Sequence, residues 1–465
     1  MTGIDRRTLL KTGAAAGMVP LLGGGASAAT NRFRLDCAPS DGWLMGEDNG
    51  PARLWTYNGV NPGPEIRIRR GNRLTVDVAN NLPQGTSVHW HGIRIDNAMD
   101  GVSGLTQKAI EPGAEFTYDF VAPDAGTYWY HPHNRTWEQL ARGLYGPLIV
   151  EEHDPYPVDS EQTLVIDDWR LNEDGSLDEE SFGNGMDWSH AGRLGNWATV
   201  NSRSTPVYSF ALRERVRVRL LNASNARVIP LTFGGLPATL IALDGQPLDF
   251  PERLDPATPL VLAPAQRADI VVDMTGPGAL SVPGRDGATL ITTFRVEGDT
   301  VSGLSEAPVS PLPGNDLPQP VLADAQSVLL AMQGGAMRWL DSGVYKGDTL
   351  DGRSLAEQGQ FWSFNGQVGM SDTPLFTADA GRTMTVEMVN DSRWPHAMHF
   401  HGHHFRVVAE NGSPAPPGPW RDTLLLNPDE RKQIAFVADN PGRWMIHCHM
   451  LEHQAAGMVT WFQVV

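Results

Sequence analysis

One phrase recurs three times along this 465-residue chain. Gly71-Asn72-Arg73-Leu74-Thr75-Val76-Asp77-Val78-Ala79-Asn80 is echoed by Arg215-Val216-Arg217-Val218-Arg219-Leu220-Leu221-Asn222 and by Gly381-Arg382-Thr383-Met384-Thr385-Val386-Glu387-Met388-Val389-Asn390. Each copy alternates apolar and polar side chains at the period of a strand, and from residue 30 to 153 such runs are short and punctuated by Gly, Pro and Asn. Long stripes at the helical period are absent there. The chain is therefore expected to be all-β, with three similar domains built as β-sandwiches or Greek-key barrels.

The first and third copies also share their endings. Gly126-Thr127-Tyr128-Trp129-Tyr130-His131-Pro132-His133 can be laid over Gly442-Arg443-Trp444-Met445-Ile446-His447-Cys448-His449, and His89-Trp90-His91-Gly92 over His399-Phe400-His401-Gly402. The middle domain holds only His190 of the fourteen histidines, which suggests a spacer that also shapes a substrate face. These landmarks divide the chain into domain 1 (30–153), domain 2 (160–300), a Pro-rich extended linker (303–320) and domain 3 (321–465).

Four His-x-His pairs follow from the shared endings: His89/His91, His131/His133, His399/His401 and His447/His449. Residues i and i+2 of a strand share a face, so each pair can direct two imidazoles into one cavity. Eight imidazoles are about what a cluster of three copper ions requires if positions stay open for oxygen. Cys448 faces the other way, and His453 and Met458 follow it by five and ten residues. His396 precedes His399 by an odd number and so belongs to the Cys448 side. Two imidazoles, a thiolate and a weak thioether form the donor set of a blue-copper electron-transfer centre. Pro132 stands where the cysteine would be in domain 1, which should lack such a site. His153, His190, His403 and His404 are read as ordinary surface or hydrogen-bonding residues.

Together, the four motifs, in this order and with Met458, resemble the multicopper oxidases over essentially the whole chain after residue 28. The resemblance implies three consecutive cupredoxin-like domains and four copper ions. His396, Cys448, His453 and Met458 would hold the type 1 copper, and His89 with His399 the type 2 copper. One type 3 copper would take His91, His131 and His449, and the other His133, His401 and His447. It also implies a reductant docking near an exposed edge of His453, dioxygen reduced to two waters, and Asp100 as a proton-relaying acid near the type 2 site. Bacterial relatives often carry glutamate where this chain has Gln454, which cannot shuttle a proton by ionising; Glu452 and Glu138 are candidate substitutes. An axial methionine keeps the type 1 potential low, which suits phenols, aromatic amines or Cu(I). Scattered methionines, with Met332 and Met337 nearest to a cluster, favour a laccase-like oxidase over a cuprous oxidase for copper tolerance. A non-catalytic exported scaffold of the same fold is the remaining alternative, against which the complete ligand set argues. The stretch from Met332 to Trp362 is a candidate lid.

Arg6-Arg7 before a Gly/Ala-rich run and Ala26-Ser27-Ala28 fit a twin-arginine export signal over 1–28, so a periplasmic protein is expected. No other run is long enough to span a membrane. A formal charge of −18 repels nucleic acid and tolerates cationic partners. A monomer is expected. Of the two cysteines, Cys448 lies among metal donors, and Cys37 is read as an inert buried thiol.

Overall fold

A computed structural model describes residues 31–285, 287–301 and 303–465. The expected export signal lies outside these residues. Among the described residues, strands form six sheets, which pair into three sandwiches with cores of their own. The first packs Ala52–Tyr57, Asn31–Gly42, Arg73–Asn80 and Glu115–Val121 against Ile66–Arg69, Gly146–Glu151, Gly126–His131 and His89–His91. The second packs a six-stranded sheet on a five-stranded one, and the third a nine-stranded sheet on a five-stranded one.

The recurring phrase takes the same place in each sandwich. Arg73–Asn80, Arg215–Asn222 and Arg382–Ser392 each lie parallel to the strand that opens their sandwich and antiparallel to a later one. The shared asparagine has a structural cause. Asn80, Asn222 and Asn390 are fully buried, and each accepts the N–H two residues on through its Oδ1. Each then donates Nδ2 to two carbonyls, one in its own turn and one from a segment distant in sequence. One side chain thus satisfies three buried backbone groups where the strand ends.

The linker 303–320 lies against the sandwiches: Asn315 bonds Ala125 and Gln246, Asp316 pairs with Arg70, and Leu312 is buried. One expectation changes: the stretch from Met332 to Trp362 is no separable lid. It adds the strands Ser342–Tyr345 and Asp348–Asp351 to the nine-stranded sheet, and both of its ends, Met332 and Trp362, are core residues. Among the described residues no helix is long and apolar enough to cross a membrane.

Candidate metal centre

Strand register brings the histidines together. His89 lies opposite His131 in the first sandwich, and His399 opposite His447 in the third. Antiparallel partners point to one face, so each sandwich presents His-x-His pairs side by side. The two faces meet, with the rings of His91 and His399 stacked at 3.7 Å and those of His89 and His401 tilted against each other at 4.0 Å. Cys448 and His396 turn to the opposite side as their strand parity requires, and the helix Leu451–Ala455 returns His453 to them.

Each imidazole has one N–H, and the acceptors around it decide which nitrogen stays bare. His89 and His399 donate Nδ1–H to the carbonyls of Asp100 and Asp422 at 2.8 and 3.0 Å. His131 and His447 donate theirs to Pro132 and Cys448, both at 2.9 Å, and His401 to the Asp100 carboxylate at 3.0 Å. All five therefore present a bare Nε2. His91 is reversed: its Nε2–H faces Asp422 Oδ1 at 3.3 Å, leaving Nδ1 bare. On the cysteine side, His396 Nε2 donates to Ser392 Oγ, whose hydrogen goes to Asn390 Oδ1, and His453 Nε2 donates to the His190 carbonyl at 2.6 Å.

The bare nitrogens face one another. His401 and His447 Nε2 are 3.2 Å apart, His131 Nε2 and His91 Nδ1 3.4 Å, and His396 and His453 Nδ1 3.1 Å. Opposed lone pairs with no proton between them repel, so a cation is needed there. An ion bonded to both nitrogens at about 2.0–2.1 Å with a near-tetrahedral angle holds them about 3.3 Å apart. Cys448 Sγ lies 3.7 Å from both His396 Nδ1 and His453 Nδ1. His89 Nε2 and His399 Nε2 are buried and have no protein partner. His133 and His449 complete the ring at 3.5 Å from His447 and His131.

Electrostatics agree with this arrangement. Burial, then neighbouring imidazoles, pushes His91, His131, His133, His396, His401, His447 and His449 well below the ordinary histidine value, and burial takes His453 down to about 4. They are neutral and ready to ligate. Burial pushes the Cys448 thiol up to about 12, partly offset by backbone N–H groups, so its thiolate requires a cation beside it. Soft sulfur with imidazole on one side and imidazole alone on the other suits copper. Met458 is buried in the core that holds Cys448, and its carbonyl accepts from Cys448 N.

The structure thus brings together every histidine and the cysteine expected at the site, and it places Asp100 against two of the rings. One other expectation is corrected. His453 is fully buried, its edge covered by the His190 peptide, so it presents no exposed edge to a reductant. His403 and His404 are buried hydrogen-bonding residues, His403 Nδ1 meeting the His401 carbonyl at 3.3 Å and His404 Nε2 meeting Gln246 Nε2 at 3.3 Å. Of the carboxylates suggested as substitutes for a proton-shuttling glutamate, Glu452 accepts from Asn225 and from the Arg193 backbone, and Glu138 pairs with Arg135 and Arg142. Gln454 and His133 line one cavity of about 300 Å³, together with Ser103, Arg135 and Met445. Cys37 is a free, buried thiol, as expected.

Sequence reasoning missed Asp422, Ser392, Trp362 and Arg267. None belongs to a repeated motif. Trp362 packs against both His396 and His453, with ring centroids 5.0 and 4.4 Å away.

Sequence models of the multicopper oxidase family match residues 43–155, 123–280 and 346–465. The multicopper oxidase MmcO of Mycobacterium tuberculosis is 30% identical over 87% of this chain and 82% of its own. The crystal structure of a multicopper oxidase from Pseudomonas thermotolerans superposes with a TM-score of 0.82 at 30% identity, covering 94% of this chain and all of that one. Lac15 from a marine microbial metagenome is 38% identical, with a TM-score of 0.75 over 93% of this chain and 100% of its own. Matches on both sides of the junction where the histidines meet, and relatives alike along nearly the whole length, settle the family: the chain belongs to the multicopper oxidases.

Proposed function

We propose that the protein holds four copper ions and works as a laccase-like oxidase of small organic reductants. His396, Cys448, His453 and Met458 would hold the type 1 ion, and His89 with His399 the type 2 ion. His91, His131 and His449 would hold one type 3 ion, and His133, His401 and His447 the other. The observation that carries this reading is the set of bare imidazole nitrogens opposed at 3.1–3.4 Å in buried surroundings. Bound copper would supply single-electron oxidation at the cysteine site and four-electron reduction of dioxygen at the histidine cluster.

The chain's own residues do the rest. Cys448 is bonded through the main chain to His447 and His449, giving a short covalent path between the sites. Asp100 accepts from His401 and, through its carbonyl, from His89, so it orients both rings and can hold a proton beside the cluster. The cavity between Ser103, His133 and Gln454 gives water a way to the type 3 side. At the other site a reductant would meet the peptide of His190 before His453. Of the two methionines nearest to a thioether cluster, Met332 is buried and only Met337 is exposed, which favours an organic reductant over Cu(I). The reading includes twin-arginine export to the periplasm, a monomer, and domains bounded at 30–153, 160–300 and 321–465.

Turnover with a substituted phenol and with Cu(I), measured on the same copper-loaded preparation, tests the substrate class. Faster phenol oxidation is expected, and a decisive preference for Cu(I) would assign the protein to copper detoxification instead.

A further inference from the structure

Arg267 is fully buried and touches all three sandwiches. Its Nε donates to the carbonyl of Thr127 in the first sandwich at 3.2 Å, and Nη1 to Ala265 in the second at 3.1 Å. Nη1 and Nη2 grip both oxygens of Asp422 in the third, at 3.0 and 2.5 Å. The same carboxylate receives Thr423 Oγ1 at 2.7 Å and lies 3.3 Å from His91 Nε2.

Geometry explains why His91 depends on this pair. His131 and His447 find acceptors for Nδ1 in the carbonyl of the next residue, because Nδ1 lies near the backbone. His91 presents Nδ1 to the cluster, so its N–H sits at the tip of the ring, where its own turn offers no acceptor. The acceptor must come from elsewhere, and Asp422 Oδ1 at 3.3 Å, with Thr423 Oγ1 at 3.4 Å on the same nitrogen, supplies it. Gly92 records the same demand: a Cβ there would lie 2.2 Å from Arg267 Nη2 and 2.4 Å from Asp422 Oδ2. Only a glycine, here at φ +85°, lets the pair reach the ring.

We propose that Arg267 is a positioning residue for the copper cluster: by fixing Asp422 it holds His91 in the tautomer that presents Nδ1. The second sandwich contributes no imidazole, yet through this guanidinium it controls whether the cluster can hold its metal. The inference rests on the four-copper reading above. A carboxylate fixed by a bidentate guanidinium points in one direction, whereas lysine supplies charge without the fork.

The test compares wild-type, Arg267→Lys, Arg267→Met and Asp422→Asn proteins, each full length and loaded with copper. Copper per chain, the type 1 and type 2 EPR signals, and thermal unfolding of the copper-free form are measured. Asp422→Asn is nearly isosteric and keeps the fold assessable if Arg267→Met does not fold. Expected is a selective effect in Asp422→Asn and Arg267→Met: the blue type 1 signal stays while copper affinity at the histidine cluster falls about 10–100-fold. Arg267→Lys should fall between them and wild type. Full copper and an unchanged type 2 signal in Asp422→Asn would overturn the proposal. So would a parallel loss of type 1 and cluster copper that tracks lowered thermal stability, since that marks a purely structural role. A wild type with four coppers beside variants with four overturns this inference alone, whereas a wild type without copper overturns the four-copper reading as well.

Discussion

His453 and Met458 show how far single residues determine the behaviour of the cysteine site. Strand parity and spacing make both legible in the sequence, together with Cys448 and His396, because the strand and the following helical turn are local structures. The groups that tune them are not legible. Ser392 Oγ, the His190 carbonyl and the Trp362 ring come from separate segments, and nothing in their local sequence marks them as partners. The histidine count alone made His190 look idle, while the structure uses its main chain. At this scale, Met458→Leu is expected to raise the type 1 potential by removing an axial donor, at a stability cost under about 1.5 kcal/mol because the volume is nearly conserved. A redox titration of the blue band checks it; an unchanged or lower potential would mean that Met458 is not an axial ligand.

At the scale of elements, the recurring strand carried most of the fold into view. Its alternation identified the strands, and its threefold recurrence anticipated three sandwiches. Arg217 and Arg219 hold the polar positions of that alternation, yet both are fully buried against Asp269, Glu152 and Glu161. Their partners lie tens of residues away, so no local pattern reveals them. The terminal asparagines allow a paired comparison. Asn222→Ala and Asn390→Ala each orphan buried backbone groups and should cost about 2–4 kcal/mol, seen as a fall in Tm of several degrees. Asn390 also accepts the hydrogen of Ser392 Oγ, which orients His396, so only Asn390→Ala should disturb the type 1 spectrum. Equal spectra in the two variants would show that the Ser392 link does not govern the ring.

For the whole molecule, the cluster forms where the first and third sandwiches meet, and charged contacts with the second hold that geometry. Glu161 lies in one such contact, between Arg67 of the first sandwich and Arg219 of the second. Burial would raise its carboxyl, but Arg219 and Arg67 overcome this and hold it at about 2. A carboxylate held below its unfolded value of 4.5 adds stability that is fully present above pH 4.5 and disappears as pH falls through about 2. Glu161→Gln should therefore cost about 1–2 kcal/mol at pH 7, discounted for partial solvent screening, and less at pH 3. Urea unfolding of both proteins at the two pH values checks the sign, and a cost that grows towards acid would contradict it.

The central claim, that the buried imidazoles and Cys448 form one type 1 site and one three-copper cluster, is tested most directly by the copper content of the purified protein together with its visible and EPR spectra. About four coppers per chain, an intense blue thiolate band and separate type 1 and type 2 signals are expected. A protein that stays colourless and takes up no copper on reconstitution would contradict the account.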